Sequence, residues 1–272
     1  MKRYKYLITG YKGYIGSRLF NAIPDSKIGI DLKDGEDIID CLPNNVQVDT
    51  VFHLAALPSV EYSINNPSYS LKHNVYGTSR LLEWAKKQKV KRLVFSSSAA
   101  VYGDGEGPLS PYGLHKLLSE KECQLYSKLY NLDTVCLRYF NVYSEDQPYG
   151  GAYSTVISAW MEMIRQGKPL RIDGTGDQTR DYVYIDDIVG ANLFCANYED
   201  NFNGACFDVG SGNTTSLKEI KNFIDSRKQV QWHFAPSRPG DVLHSAANTG
   251  DLTALGWDAK VKILDGLARC FK

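Results

Sequence analysis

The sequence lacks the features that define several large protein classes. No apolar run approaches the roughly 20 residues of a membrane span. The N-terminal stretch Met1–Thr9 is basic, but its apolar part is too short for a signal peptide, and it reads as a first strand. No sign of charge dominates. The formal net charge is zero, so there is neither a basic stripe suited to nucleic acid nor an acidic tail. Repeats, low-complexity tracts and long linkers are missing. The six cysteines (Cys41, Cys123, Cys136, Cys195, Cys206, Cys270) are scattered, with no Cys-x-x-Cys, and the five histidines do not cluster with them. Such spacing argues against a zinc site and for reduced thiols in a cytoplasmic enzyme.

What is present is ordinary globular material: 43% hydrophobic and 23% charged residues in a chain of 272. Strand and helix patterns alternate through the first half, which implies a doubly wound, mostly parallel α/β sheet. Strands are expected over residues 4–9, 27–30, 36–40, 50–54, 92–97 and 134–138, and a helix over 67–89. From about Gly150 the pattern changes to turn-rich polar segments and short elements. The expected division is 1–150 for a Rossmann domain, with about 174–200 returning to it. Residues 151–272 mainly form a smaller C-terminal α/β substrate-binding lobe.

The first strand runs directly into Gly10, Gly13 and Gly16, then a helical stretch. In that context a glycine triplet has a mechanism. One glycine makes the tight turn, one lets the backbone approach a pyrophosphate, and one lets helix and strand pack closely. The helix N-terminus then offers free N–H groups to the anion. Asp31 ends the second strand, where a carboxylate hydrogen-bonds the adenosine ribose and repels a 2′-phosphate, so NAD is expected over NADP. The competing reading of Asp31 is a turn aspartate ahead of Lys33 and Asp34. His53 lies within an apolar strand and reads as core. Serines 96–98 end a later strand, on the edge where open α/β sheets bind ligands.

Tyr112 and Lys116 lie four apart after Ser110 and Pro111, residues that suit a helix start. On a helix both side chains share a face. An ammonium near a phenol favours the phenolate, and a phenolate is a general base for a hydroxyl proton. Alone the pair is weak, because chance supplies about one such spacing in a chain of this composition. Arg180 and Arg238, each on a polar turn, are candidate clamps for a diphosphate, since a guanidinium binds two oxygens at once.

Taken in order, eight segments make the chain resemble the extended short-chain dehydrogenase/reductases, and within them the nucleotide-sugar epimerases and dehydratases. They are the glycine loop from Thr9 to Gly16, His53–Ala56, Asn74–Thr78, Ser96–Gly103, Tyr112–Lys116, Arg138–Asn141, Gln178–Tyr182 and Arg238–Asp241. The resemblance implies that Tyr112 is the base, that Lys116 lowers its pKa and holds the nicotinamide ribose, and that Ser98 hydrogen-bonds the reacting sugar oxygen. It implies NAD contacts from Gly10, Gly13, Tyr14, Ile15, Gly16, Asp31, Asp37, Ile38, Leu54, Ala55, Ala56, Asn74, Tyr112, Lys116 and Tyr139. For the substrate it implies Ser98, Tyr112, Asn141, Thr155, Val156, Arg180, Arg238, Asp241 and Ser245, with no metal and a homodimer. Dehydratases of this kind carry acids just after the catalytic Ser or Thr, where this chain has Ala99 and Ala100. The expected reaction is therefore NAD-dependent 4-epimerisation of a UDP-sugar through a 4-keto intermediate. UDP-glucose/UDP-galactose are the expected substrates, with N-acetylated sugars admitted because the gate position falls on Ser245. The alternatives are another nucleotide-sugar epimerase, a reductase or a 4,6-dehydratase, and, from another class, a non-catalytic NAD-sensing protein.

Overall fold

A computed structural model of the chain describes residues 1–150, 154–237 and 242–272. Two compact units divide it, Met1–Tyr139 with Ile188–Phe207, and Phe140–Asp187 with Asp208–Lys272. The sequence pattern alone puts the boundary at residue 150 and the returning segment at about 174–200. Among the described residues no helix is long and apolar enough to cross a membrane.

The first unit is built on a six-stranded sheet. β1 (Lys2–Thr9), β2 (Lys27–Ile30), β3 (Val46–His53), β4 (Arg92–Ser98), β5 (Asp133–Tyr139) and, much later, β9 (Ala205–Val209) lie in the order β2-β1-β3-β4-β5-β9. The pairs among β1 to β5 are all parallel. Tyr6, Leu7 and Ile8 are buried in succession along β1, because a parallel sheet is covered on both faces. The helices are α1 (Tyr14–Ala22), α2 (Val60–Asn65), α3 (Pro67–Leu71), α4 (Gly77–Lys87) and α5 (Pro111–Tyr130). The core between sheet and helices gathers Leu7, Val51, Leu81, Leu82, Leu93 and Cys136, among others.

Two expectations need correction. Residues 36–40 form no strand; they are a turn in which the Asp37 carboxylate accepts from the Ile39 amide at 2.9 Å. The segment joining β2 to β3 is too short for an extra parallel strand with its two crossovers, each of which needs a dozen or more residues. Its buried Ile38 and Ile39 pack beneath Gly77 at the start of α4 instead. The helix expected over 67–89 is interrupted by a π turn at Lys72–Tyr76. A π turn widens the helix by one residue and is often found at functional sites. Here it places Asn74, whose side chain exchanges hydrogen bonds with the Leu57 backbone at 2.7 and 3.0 Å.

The second unit centres on β8 (Thr179–Tyr184). β6 (Asn141–Tyr143) and β12 (His244–Ser245) pair parallel with it, and β10 (Thr214–Ser216) pairs antiparallel. β7 (Leu170–Asp173) and β11 (Trp232–Ala235) form a separate parallel pair. Helices α6 (Val156–Arg165), α8 (Leu217–Asp225), α9 (Gly250–Ala254) and α10 (Ile263–Cys270) belong here, while α7 (Ile185–Asn197) continues into the first unit. Asp181, fully buried in β8, accepts from the backbone of Ser211 and Gly212 at 2.7 and 2.9 Å, which pins the turn leading into β10.

Candidate active site

The glycine loop lies between β1 and α1. Gly10 has φ +72°, and a Cβ there would come within 2.7 Å of the Ala55 amide nitrogen. A Cβ on Gly16 would sit 2.0 Å from the Gly10 carbonyl oxygen. Neither position tolerates a side chain, so the loop is a bare backbone cradle at a helix N-terminus, with Gly13 as N-cap and Tyr14 and Ile15 opening α1. It fits a dinucleotide's pyrophosphate. Leu54 and Ala55 pass beside it, held by hydrogen bonds to the backbone and hydroxyl of Thr9 at 3.2 Å each, and Ala56 follows.

Asp31 is buried at the end of β2. Its carboxylate accepts from the Lys33 amide at 2.9 Å and from the Lys12 amide, within the glycine loop, at 2.8 Å. A carboxylate offers about four acceptor sites, so two remain for ribose hydroxyls. Asp37 is bound to its own turn and lies 3.5 Å from His73 Nε2. Ile38 is core. Tyr139 is buried, with its hydroxyl engaged by Ser96 at 2.9 Å and by Asn192 at 2.7 Å; burial pushes the phenol up to about 12.

Tyr112 and Lys116 stand near the start of α5. Ser110 caps the helix by accepting from the Gly113 amide at 3.1 Å, and Pro111 occupies the first turn. A Cβ on Gly113 would lie 2.4 Å from the Ala100 carbonyl oxygen. That missing side chain lets α5 press onto the Ala99–Val101 turn that Ser98 caps, bringing Tyr112 and Ser98 into one neighbourhood. Ser98 Oγ accepts from the Ala100 amide at 3.2 Å, which leaves its hydroxyl proton to donate. Lys116 is buried, donates to the Ser96 carbonyl at 2.6 Å, and lies 5.9 Å from the Tyr112 ring centroid. Desolvation lowers its pKa to about 8, opposed by Cys123, Glu120 and Cys136, so it is mainly cationic at neutral pH.

His53 is a satisfied core residue, as its strand context suggested. Thr78 donates its hydroxyl proton to the Asn74 carbonyl at 2.6 Å, so it accepts from His53 Nε2–H at 2.9 Å. Thr9 accepts from the Ala55 amide and donates to Nδ1 at 2.8 Å. Both ring nitrogens are used by the neutral form. Burial, with Lys116 nearby, pushes the pKa down to about 3.

In the second unit a cavity of about 580 Å³ is lined by Asn141, Thr155, Val156, Arg180 and eleven further residues. Val156 opens α6 behind a Thr155 capping box, so a positive helix end faces this space. Arg180 donates to the Thr179 carbonyl at 3.0 Å, and the Asn141 amide donates to the Asp181 carbonyl at the same distance. Ser245 pairs in register with Arg180 and is not among the lining residues. Arg238 and Asp241 lie outside the described residues. The sequence reading missed Trp160, Arg171 and Asp173 on the cavity wall. Their local signals are the helical periodicity of α6 for Trp160 and the strand alternation of β7 for Arg171 and Asp173, and neither says what those side chains border.

Residues 6–210 match the family model of the NAD dependent epimerase/dehydratase family, and the chain belongs to that family. It is 32% identical to a UDP-glucose 4-epimerase of Mycolicibacterium smegmatis, an alignment covering 97% of this chain and 96% of the relative. A UDP-N-acetylglucosamine 4-epimerase from Methanobrevibacter ruminantium, solved with UDP-N-acetylmuramic acid, superposes with a TM-score of 0.87 at 28% identity, covering 100% and 97% of the two chains. A UDP-glucuronic acid 4-epimerase from Bacillus cereus, solved with UDP-glucuronic acid and NAD, gives 0.83 at 28% identity, with 98% of each chain covered.

The state of His53 sets an acid limit to stability. The unfolded imidazole takes a proton below about pH 6.5, while the folded one stays neutral until about pH 3. Stability is therefore lost as pH falls through that window, by about 2 kcal/mol between pH 7 and 5. Urea unfolding at the two pH values should show this loss in wild type and less of it in His53→Gln. An equal loss in both would reject the assignment.

Proposed function

We propose that the chain is an NAD-dependent 4-epimerase of UDP-sugars. The observation that carries this reading is the packing of Gly113 on Ala100. It supports a base, Tyr112, next to Ser98, on a turn whose following residues Ala99 and Ala100 cannot protonate a leaving hydroxyl. Elimination needs such an acid; epimerisation does not.

In this reading NAD lies along the glycine loop of the first unit, with Asp31 accepting from the adenosine ribose. When bound, it supplies the acceptor and donor of hydride at the sugar C4. Tyr112 takes the C4 hydroxyl proton and returns it later. The Lys116 cation favours the phenolate, and Ser98 donates to the same sugar oxygen, countering charge as it builds. In the cavity of the second unit Arg180, Asn141 and the N-terminus of α6 hold the diphosphate while the 4-keto sugar turns over its other face. Fixing the nucleotide limits the freedom of the attached sugar, and restricting a reactant in that way supplies much of the rate. The names of the relatives support UDP as the nucleotide.

Ser245 is the candidate gate for the C2 substituent, its small side chain leaving room for an N-acetyl group. The protein is assigned to the cytoplasm, in keeping with six free cysteines. A homodimer through α5 is supported by Leu114, Leu118, Leu125 and Leu129, which stay exposed along one stripe of the helix.

Four measurements test these assignments. NMR of product mixtures from UDP-glucose and UDP-N-acetylglucosamine should show the C4 epimer of each. A stable 4-keto-6-deoxy product would make the protein a dehydratase, and NAD binding without turnover would make it a sensor. Tyr112→Phe should abolish turnover with NAD affinity nearly intact, and Ser245→Tyr should depress turnover of the N-acetylated sugar alone. Arg180→Ala should weaken UDP binding about ten- to a hundredfold, the worth of a charge-assisted hydrogen bond; unchanged affinity by calorimetry would move the phosphate site elsewhere. In sedimentation, Leu118→Glu should convert a dimer to a monomer, whereas a monomeric wild type would remove the interface.

A further inference from the structure

The first unit contains a fully buried carboxylate that the reaction as described does not use. Glu120 lies in α5, one turn beyond Lys116 and two beyond Tyr112, and all three are on the buried side of the helix. It accepts from Ser97 Oγ at 2.5 Å on β4, and from Arg138 Nε at 2.8 Å and Nη2 at 2.7 Å on β5. Arg138 continues the chain of contacts by donating to the Tyr102 hydroxyl at 2.5 Å. Four elements therefore meet through one carboxylate: the helix of the base, the strand that ends in Ser98, the strand beside it, and the turn on which α5 rests.

We propose that Glu120 is a positioning residue for the catalytic base, locking α5 to β4 and β5 and providing the buried negative charge that keeps Lys116 cationic. This assignment rests on Tyr112 and Lys116 acting as described above. The geometric part follows from the connections. Ser97 adjoins Ser98 in sequence, so the Ser97–Glu120 bond fixes the distance from the Ser98 strand to the helix that bears Tyr112. Arg138, held bidentately, resists rotation of that helix about its own axis.

The electrostatic part follows from what surrounds Lys116. The titratable groups that face it are Tyr112, Cys123 and Glu120 from α5, Cys136 from β5 and His53 from β3. His53 is neutral, and the neighbouring Cys123 thiol together with burial, opposed by Cys206, holds the Cys136 proton on. Glu120 is the one carboxylate in the group. A buried ammonium whose pKa is already reduced to about 8 has little margin, and a cation is what the phenolate needs. Stability alone gives weak reason for such a pair, since apolar side chains of similar volume often serve a core equally well.

The test uses the NAD-bound protein labelled with ¹³C at the lysine ε-carbon, with the Lys116 signal assigned by its absence in Lys116→Arg. In Glu120→Gln the Lys116 midpoint should fall by about one pH unit. The alkaline limb of kcat should move down with it, while KM for the UDP-sugar and the affinity for NAD change little. In Glu120→Asp, which keeps the charge but shortens the reach to Ser97, the midpoint should stay near wild type while kcat falls. If Glu120→Gln strands the Arg138 charge and fails to fold, the double variant Glu120→Gln/Arg138→Gln removes both charges and should still show a lowered midpoint, by less than the single variant, because Glu120 is the nearer of the two to Lys116. An unchanged Lys116 midpoint in a folded variant lacking the carboxylate overturns the proposal. A lowered midpoint in a protein that turns over no UDP-sugar would retain the Glu120 assignment and reject the epimerase.

Discussion

The site depends first on a steric constraint, the absence of a side chain at Gly113. An added Cβ would meet the Ala100 carbonyl oxygen at 2.4 Å. Without it the first turn of α5 rests directly on the turn after β4. Ser98 belongs to the strand end, and Tyr112 and Lys116 belong to the helix. Their approach is therefore set by backbone against backbone, which is stiffer than contact through flexible side chains. The same device recurs at the glycine loop, where Gly10 abuts Ala55 and Gly16 abuts the Gly10 carbonyl. Both halves of the cofactor and base machinery rest on close approaches that only glycine permits.

Around those contacts the sheet's carboxyl edge carries polar groups that are buried and paired. Thr9, His53 and Phe95 lie in register across β1, β3 and β4. Thr9 and Thr78 use up the His53 ring, and Asn74 uses up Thr78 and the Leu57 backbone. Unpaired polar groups here would cost a few kcal/mol each. Paired, they leave a rigid, dry floor in which Lys116 keeps its charge close to the balance point. The π turn belongs to this network, because it is the local geometry that turns Asn74 inward from an otherwise amphipathic helix.

Much of this was legible in the sequence, for identifiable reasons. The glycine triplet, the strands that became β1 to β5 and the start of α5 are local signals, carried by contiguous apolar runs, caps and turn residues. Their order in the chain made the family resemblance specific. What escaped depends on distant partners. Glu120 carries no distinguishing signal in the sequence, and its partners Ser97 and Arg138 are 23 and 18 residues away. The strand expected over 36–40 has suitable residues, Ile38 and Ile39, but they are buried under α4 rather than in the sheet. The Tyr139 hydroxyl is held by Asn192, 53 positions on, a partner that no local signal names. The cavity of the second unit is assembled from six separate segments, none of which marks the whole wall alone.

The missing strand has a consequence for the cofactor site. With residues 36–40 outside the sheet, β2 is its edge, and the adenosine end of the glycine loop has no further strand to brace it. Side chains take over that role. Asp31 ties the Lys12 amide of the loop to the Lys33 amide of the following turn. The Tyr11 ring lies where a Cβ on Gly29 would project, and the Tyr11 hydroxyl and Lys12 ammonium both engage Asp34. Lys33 reaches back to the Lys12 carbonyl at 2.9 Å. The residue assigned to the ribose is thus also the main brace of the loop assigned to the pyrophosphate. Binding at one would stiffen the other, so a shortened sheet edge need not mean a loosely held dinucleotide. What it changes is where the rigidity comes from: a set of side chains led by one buried carboxylate, in place of a strand.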